Sequence, residues 1–300
     1  MRRILVIVVA VLVAAEAFVA YKVIRDRPEA DAEPAATGSP TKTTPAATAT
    51  PEGPEGAVSL SFSEDGRLFR SWLGSCSEPG RARLEISGNG GQTFDEIALP
   101  VLDEKTAVRT VLAVDASDDQ EVTIIASDDR CRTGAYRTDD GGQAWDTADV
   151  SGWYVSADGS EVGIGDTSSE PGCVVQTVVP LPTNRQNAKV LCDGGTIIGT
   201  NDSGGEWTTL GELPGAVDFT FTSLRDGMAV RETDDCAAEV MDTADAGGGW
   251  ESLACVVEKS DFAPSAIASR GDVVYVQVGG DLYRSEDGGH EWRNAEERVE

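Results

Sequence analysis

The side chains that could carry out chemistry in this chain are unevenly supplied. The 300 residues include 52 Asp and Glu but a single histidine, His290. A serine or cysteine nucleophile activated by a neighbouring base would need that histidine, which stands in a Gly-rich stretch, and no Gly-x-Ser-x-Gly sequence occurs. We therefore predict no nucleophilic triad and assign no catalytic residue.

Paired carboxylates are a second possible chemistry. Hydrolysis of a glycosidic bond needs two carboxyl groups about 5–9 Å apart with separated pKa values. Residues 57–300 contain 45 Asp and Glu, so the sequence selects no pair. Adjacent aspartates such as Asp118 and Asp119 belong to no complete D-x-D-x-D-G calcium loop, and no Cys-x-x-Cys occurs. We predict neither a bound metal nor a cofactor.

Aromatic and arginine side chains offer a third chemistry, non-covalent binding. Two tryptophans, Trp72 and Trp153, lie apart from the turn sequence that recurs in the chain, and each has a polar or aromatic neighbour. Aromatic faces combined with guanidinium groups suit sugars or the anionic end of a peptide. We favour a structural role for these aromatic and arginine side chains, in packing and in ion pairs, and keep a ligand site as the alternative hypothesis. The residues of that hypothetical site are Arg70, Trp72, Trp153, Tyr154, Arg225 and Arg231.

One turn sequence recurs five times and predicts the strands that position these side chains. The copies are SGNGGQTF from Ser87, TDDGGQAW from Thr138, TNDSGGEW from Thr200, TADAGGGW from Thr243 and SEDGGHEW from Ser285. The third residue closes a turn by accepting amide hydrogen bonds, and glycine supplies positive φ. The aromatic eighth residue begins the next strand. The structural residues are Asn89, Asp140, Asp202, Asp245 and Asp287, with Phe94, Trp145, Trp207, Trp250 and Trp292.

The pattern S/T-x-D-x-G-x-x-W resembles the Asp-box, or BNR repeat. This repeat occurs in sialidases, sortilin-type receptors, some glycoside hydrolases and the photosystem II assembly-factor propellers. There it joins the two outer strands of a propeller blade, away from the usual ligand face. The resemblance covers roughly residues 57–300, although the first copy departs from it with Asn89 and Phe94. It implies an all-β propeller.

The resemblance does not extend to the catalytic residues of sialidases. Those enzymes use an arginine triad, a Tyr–Glu pair and an Arg-Ile-Pro or Arg-Leu-Pro motif. No such tripeptide occurs here, because Arg70 is followed by Ser71 and Trp72. The segments FTSLRDGMAV and WYVSADGSEVGIG resemble inner strands of the photosystem assembly factors, with Met228 where Trp is usual. We interpret this as shared blade construction and not as a shared task.

Strand signals around the turns predict four-stranded antiparallel blades. Successive copies begin 51, 62, 43 and 42 residues apart. The long step holds either a blade with an insertion stapled by Cys173 and Cys192 or a sixth blade without the turn. We prefer five blades, with six as the alternative. We expect no strand to be exchanged between the chain ends, so that disulfides would take over the closure of the ring.

Six cysteines follow the apolar N-terminal segment, and an even number in an exported domain is typical of disulfides. Six cysteines allow 15 connectivities. The spacing favours two local bridges and leaves a third across neighbouring blades. The predicted pairs are Cys173–Cys192, Cys236–Cys255 and Cys76–Cys131.

The first 25 residues predict membrane attachment. Residues 4–24 are apolar except for Glu16, Tyr21 and Lys22, and this length can cross a bilayer as a helix. We predict an uncleaved signal anchor over residues 1–25, with a cleaved signal peptide and secretion as the alternative. Residues 26–56, rich in Pro, Ala and Thr, predict a disordered tether, and residues 57–300 the propeller.

The net charge excludes one class of partner. Residues 57–300 carry 18 basic and 45 acidic side chains, a formal charge of −27. Such a domain repels phosphate backbones, so we predict no nucleic-acid partner. We predict a single-pass membrane protein whose extracytoplasmic propeller is a non-catalytic binding or scaffold module for a protein or glycan. The alternatives are a sialidase-like glycoside hydrolase and an assembly factor for a membrane complex.

Overall fold

The described part of the chain is a six-bladed β-propeller. The computed structural model describes residues 58–76, 82–101, 107–182, 184–258 and 264–296. The predicted signal anchor (1–25) and tether (26–56) lie outside these residues and stay predictions. Within the described ranges, no helix has the length and apolar character needed to span a membrane.

The strands form six antiparallel sheets, which we number as blades in chain order. Blade 1 contains β1 (Val58–Phe62), β2 (Leu68–Trp72), β3 (Arg83–Ser87) and β4 (Asp95–Ile97). Blade 2 contains β5 (Thr110–Ala116), β6 (Val122–Ser127), β7 (Thr133–Thr138) and β8 (Asp146–Ala148). Blade 3 contains β9 (Trp153–Val155), β10 (Val162–Ile164) and β11 (Thr167–Ser169).

The second half of the ring has the same strand order. Blade 4 contains β12 (Val175–Pro180), β13 (Ala188–Cys192), β14 (Thr196–Thr200) and β15 (Thr208–Glu212), with a short 3-10 turn (Asp193–Gly195) after β13. Blade 5 contains β16 (Ala216–Phe221), β17 (Gly227–Arg231), β18 (Cys236–Thr243) and β19 (Glu251–Glu258). Blade 6 contains β20 (Pro264–Arg270), β21 (Val273–Val278), β22 (Asp281–Ser285) and β23 (Arg293–Asn294).

The preference for five blades was wrong, and the alternative of six is correct. The 62-residue step holds the whole of blade 3 in addition to the first strands of blade 4. Blade 3 lacks the repeated turn, its strands have three residues each, and it has three strands where four were expected. Pro171 follows β11 and has no N–H to donate to a ladder. The sequence signal of this blade was therefore too short to distinguish it from an insertion.

The first strand of each blade belongs to a closed inner ring. In order around the ring, β1, β5, β9, β12, β16 and β20 contact one another, and β20 returns to β1. Each blade is built from consecutive strands, so the expectation that no strand is exchanged holds for the described residues. Arg270 closes blade 6 onto blade 1 by donating to the carbonyl oxygens of Ser63 and Glu64, both at 2.6 Å.

The three predicted disulfides are confirmed, but their predicted role in closing the ring is wrong. Cys76–Cys131 joins blade 1 to blade 2, Cys236–Cys255 lies within blade 5, and Cys173–Cys192 fixes the segment before β12 to the end of β13. None of them crosses the junction of blades 6 and 1. That junction is instead packed with apolar side chains, including Leu68 and Leu282.

The five repeated turns share one set of hydrogen bonds. In each, the hydroxyl of the first residue donates to the side-chain oxygen of the third residue at 2.7–2.9 Å. That hydroxyl also accepts the N–H of the fifth-position glycine. The third side chain accepts the N–H of the seventh residue. Asn89 replaces aspartate without loss because its amide oxygen accepts the same bonds.

Each repeated turn packs against the preceding blade through its fifth-position glycine. A Cβ on Gly142 of blade 2 would stand 2.5 Å from Cγ2 of Ile97 in blade 1. Trp145 of the same turn donates to the carbonyl oxygen of Ala98 at 2.8 Å. The other four glycines also face the preceding blade. A Cβ would stand 2.6 Å from Leu282 at Gly91, 2.5 Å from Ser169 at Gly204 and 2.9 Å from Leu253 at Gly289, but at an ordinary 3.5 Å from Ile197 at Gly247.

Substituting Gly142 by alanine tests this contact, with Gly288→Ala as the matched control. Both glycines have positive φ, +90° and +76°, so both variants bear the left-handed strain of about 1 kcal/mol. A Cβ on Gly288 meets nothing within 4 Å, and Ala246 occupies the equivalent position in blade 5 with φ of 73°. We expect Gly142→Ala to lose a further ~1–3 kcal/mol of unfolding free energy in urea titrations. Equal losses in the two variants would show that the turn does not press on blade 1.

Candidate functional site

The structure brings together two of the residues chosen from the sequence, Arg70 and Trp72. The Cζ atom of Arg70 lies 4.9 Å from the ring centroid of Trp72 and 3.9 Å from that of Phe94. Its Nε and Nη2 atoms donate to Oε2 of Glu85 at 3.1 and 2.8 Å, and Nη1 reaches Oε1 of Gln277 in blade 6. Arg70 is thus a structural contact at the junction of blades 6 and 1. The exposed Arg83 stacks on Trp72 at 4.3 Å.

Trp153 and Tyr154 lie together on β9 and pack within blade 3 and against blade 4. Trp153 is buried, and its Nε1 donates to the carbonyl oxygen of Arg185 at 2.8 Å. Its ring meets Trp207 edge to face, with centroids 6.4 Å apart. The ring of Tyr154 lies over Gly163, and burial raises the pKa of its hydroxyl. These contacts give both rings a structural role.

Arg225 and Arg231 stand at opposite ends of the second strand of blade 5, Arg225 just before it and Arg231 at its last residue. Nε of Arg231 donates to Oε2 of Glu239 at 2.7 Å. Nε of Arg225 donates to the carbonyl oxygen of Ala244 at 3.0 Å, beside the repeated turn. The six side chains therefore occupy four separate places on the ring, with Arg70 beside Trp72 and Trp153 beside Tyr154, and ligand binding by any of them stays a prediction. His290 is exposed in the turn of blade 6.

A depression that the sequence did not indicate lies at the junction of blades 4 and 5. It opens to solvent and has a volume of about 460 Å³. Four segments meet there: the start of β12, the 3-10 turn after β13, the link from β15 to β16, and the end of β17. Antiparallel pairing places these ends together. The lining residues are Gln176, Asp193, Gly194, Gly215, Ala216, Val217, Glu232, Thr233 and Asp234.

The depression is acidic and incompletely paired. Asp193, Glu232 and Asp234 are exposed, and no ion pair joins them to a basic side chain within the described ranges. Nε2 of Gln176 contacts Oδ1 of Asp193 at 3.5 Å, and the buried Oε1 of Gln176 has no hydrogen-bond partner there. Exposed carboxylates accept hydrogen bonds and carry negative charge, so the arrangement suits an ammonium or guanidinium group. The described residues form no group of three or more side chains placed to hold a metal ion.

Two buried ionisable groups join the blades nearby. Asp218 of β16 accepts the hydroxyl of Thr177 in blade 4 and the N–H of Ile267 in blade 6, both at 2.8 Å. Burial raises the pKa of Asp218 to about 6. Lys189 of β13 donates to the carbonyl oxygens of Leu224 and Ala246 at 2.9 and 3.0 Å. Burial lowers the pKa of Lys189 to about 8.

The similarities to known proteins concern the propeller fold. YCF48 bound to D1 peptide is 16% identical, with 84% of this chain and 88% of that chain covered and a TM-score of 0.48. A lectin of Aleuria aurantia in complex with Fucα1-6GlcNAc is 10% identical, with 81% and 96% covered and a TM-score of 0.48. The xyloglucanase of family GH74 from Xanthomonas campestris is 18% identical, with 79% of this chain but 38% of its own covered, at 0.36. No protein-family model and no curated protein matches the chain.

Asp218→Asn tests the carboxyl group that links blades 4, 5 and 6. In the folded protein Asp218 has a pKa of about 6, against an ordinary value of 3.8, so folding favours its protonated form. The stability that Asp218 contributes is therefore complete below pH 3.8 and is lost as the pH rises through 6. An asparagine can accept from Ile267 and donate to Thr177 without ionising. From pH 4 to pH 7 we expect the parent to lose about 2 kcal/mol of unfolding free energy relative to Asp218→Asn. Parallel pH profiles in urea titrations would contradict the raised pKa.

Proposed function

We propose that this protein is an Asp-box propeller, held at the outer side of a membrane by its N-terminal segment, that binds a protein partner without catalysis. The shared hydroxyl, Asx and glycine contacts of the five turns support the Asp-box assignment. The three disulfides support an oxidising, extracytoplasmic location. Binding of a protein partner is compatible with two roles for this chain, a stable scaffold and a factor that assists assembly of a membrane complex.

The strongest support for binding is the acidic depression between blades 4 and 5. Three exposed carboxylates line it, and the described residues supply them with no cationic partner. The domain as a whole carries a formal charge of −27, which attracts basic partners over distance and accelerates their association. The chemistry of this site therefore selects a protein segment that presents lysine or arginine.

A glycoside hydrolase is the second candidate, and one observation favours it. Asp193, Glu232 and Asp234 line a single depression, and two carboxyl groups suffice for hydrolysis of a glycosidic bond. A panel of oligosaccharides incubated with the full chain distinguishes the candidates. Turnover that is abolished in Glu232→Gln would establish the hydrolase and overturn the non-catalytic proposal, whereas saturable binding without turnover supports the module.

Neutralising the depression tests the binding proposal in the full-length anchored chain. We expect a basic protein partner to be recovered from solubilised membranes with the parent chain. The double variant Glu232→Gln/Asp234→Asn should reduce its recovery about tenfold or more, because charge-assisted contacts are lost. Raised salt should weaken recovery by the parent. Quantitative mass spectrometry of the affinity-purified chain measures both effects.

The matched control is Glu206→Gln/Asp272→Asn, which removes the same charge from exposed positions in hairpins of blades 4 and 6, away from the depression. Recovery of the partner should be unchanged in this control. If both double variants recover the partner as well as the parent does, the depression has no role in binding. An equal loss of recovery in both double variants would show that net charge alone causes the effect, and it would likewise exclude the depression as the binding site.

A further inference from the structure

The six junctions of the ring are held together unequally. Five clusters of buried apolar side chains each combine two neighbouring blades. They occupy the junctions of blades 1 and 2, 3 and 4, 4 and 5, 5 and 6, and 6 and 1. None of these clusters includes described residues of both blade 2 and blade 3.

The repeated turns leave the same junction uncovered. Each turn packs on the preceding blade, so the turns of blades 1, 2, 4, 5 and 6 cover five junctions. Blade 3 has no such turn and places none on blade 2. Within the described ranges, no side-chain hydrogen bond or ion pair joins residues 110–148 to residues 153–169. The contacts between these two blades include those of β5 with β9 and of Ile125 with Gly152.

Blade 3 also lacks the side chains that an ion pair at this junction would need. Residues 138–184 contain eight acidic side chains and no lysine or arginine, and they include all of blade 3. Blade 3 therefore has no basic side chain with which to form an ion pair to blade 2. Every other blade carries at least one basic side chain in its strands or turns.

The disulfides flank this junction without crossing it. Cys76–Cys131 fixes blade 2 to blade 1, and Cys173–Cys192 fixes the segment that leaves blade 3 to blade 4. Trp153 and Val162 of blade 3 belong to the apolar cluster shared with blade 4. A separation of blades 2 and 3 would thus break no disulfide and no apolar cluster, and blade 3 would move together with blade 4.

We propose that the ring opens between blades 2 and 3, which the chain connects directly, and not between blades 6 and 1, where the first and last blades meet. Opening exposes the side of blade 2 that faces blade 3. Ile125 and Ala135 lie on that side, because they alternate with Ile124 and Tyr136, which pack towards blade 1. Both are buried in the closed ring, with 5% and 3% of their surface exposed.

Thiol labelling of buried alanine positions tests this opening. Ala135→Cys reports the junction of blades 2 and 3, Ala268→Cys that of blades 6 and 1, and Ala238→Cys that of blades 5 and 6, all at positions no more than 5% exposed. The oxidised full chain of each variant is treated with a thiol reagent under native conditions. We expect Ala135→Cys to react at least about tenfold faster than the other two, a difference of ~1.4 kcal/mol in opening free energy.

Ile125→Cys is the second reporter if Ala135→Cys does not fold. Faster labelling of Ala268→Cys would place the opening at the meeting of the first and last blades and overturn the proposal. Equal labelling of all three, at the rate of global unfolding, would also overturn it.

Discussion

A sheet of three or four strands cannot bury both of its faces, and the ring depends on how each blade is covered by the next. Here the covering contact is a glycine held at positive φ by a hydroxyl and an Asx side chain, and in the turns of Gly91, Gly142, Gly204 and Gly289 the neighbouring blade leaves no room for a Cβ. The Asx oxygen and the hydroxyl thus act at two levels, because they close a local turn and also present the backbone to Ile97 or its equivalents. The apolar clusters lie between blades for the same reason, since each combines residues of two sheets.

The sequence predicted what local contacts determine. The five turns, the strands of blade 5 and the disulfides Cys173–Cys192 and Cys236–Cys255 depend on residues close in the chain or on a repeated pattern, and the third disulfide followed as the remaining pair. The number of blades could not be predicted in this way, because blade 3 has three-residue strands and no turn. Ring closure was also missed. It depends on Arg270 reaching Ser63 and Glu64, more than 200 residues away in the chain, and no local pattern indicates such a contact.

The candidate site likewise combines contacts that the sequence predicts with contacts that it does not. Arg70 and Trp72 are two residues apart on one strand, so their proximity followed from strand alternation. The acidic depression combines the Asp193 turn with Glu232 and Asp234 from the next blade, and only the packing of two blades brings them together. With 45 acidic residues in the domain, the sequence alone offered no means to select these three. Several arginines of the domain are engaged in ion pairs with Asp or Glu, which leaves many of its acidic side chains to determine its surface charge.

The repeated turns all face the same way around the ring, because each of them packs against the blade that precedes its own. Blade 2 alone has no covering turn, so the assembly of the domain has a natural starting point at blade 3 and an end at blade 2. Blades 3 to 6 can dock in order along the chain, blade 1 then joins blade 6, and blade 2 follows blade 1. In this order the last contact to form is between two blades that are adjacent in sequence, and the long-range contact of β1 with β20 precedes it. In folding experiments, the slow step of this propeller should therefore be the meeting of its first and last blades.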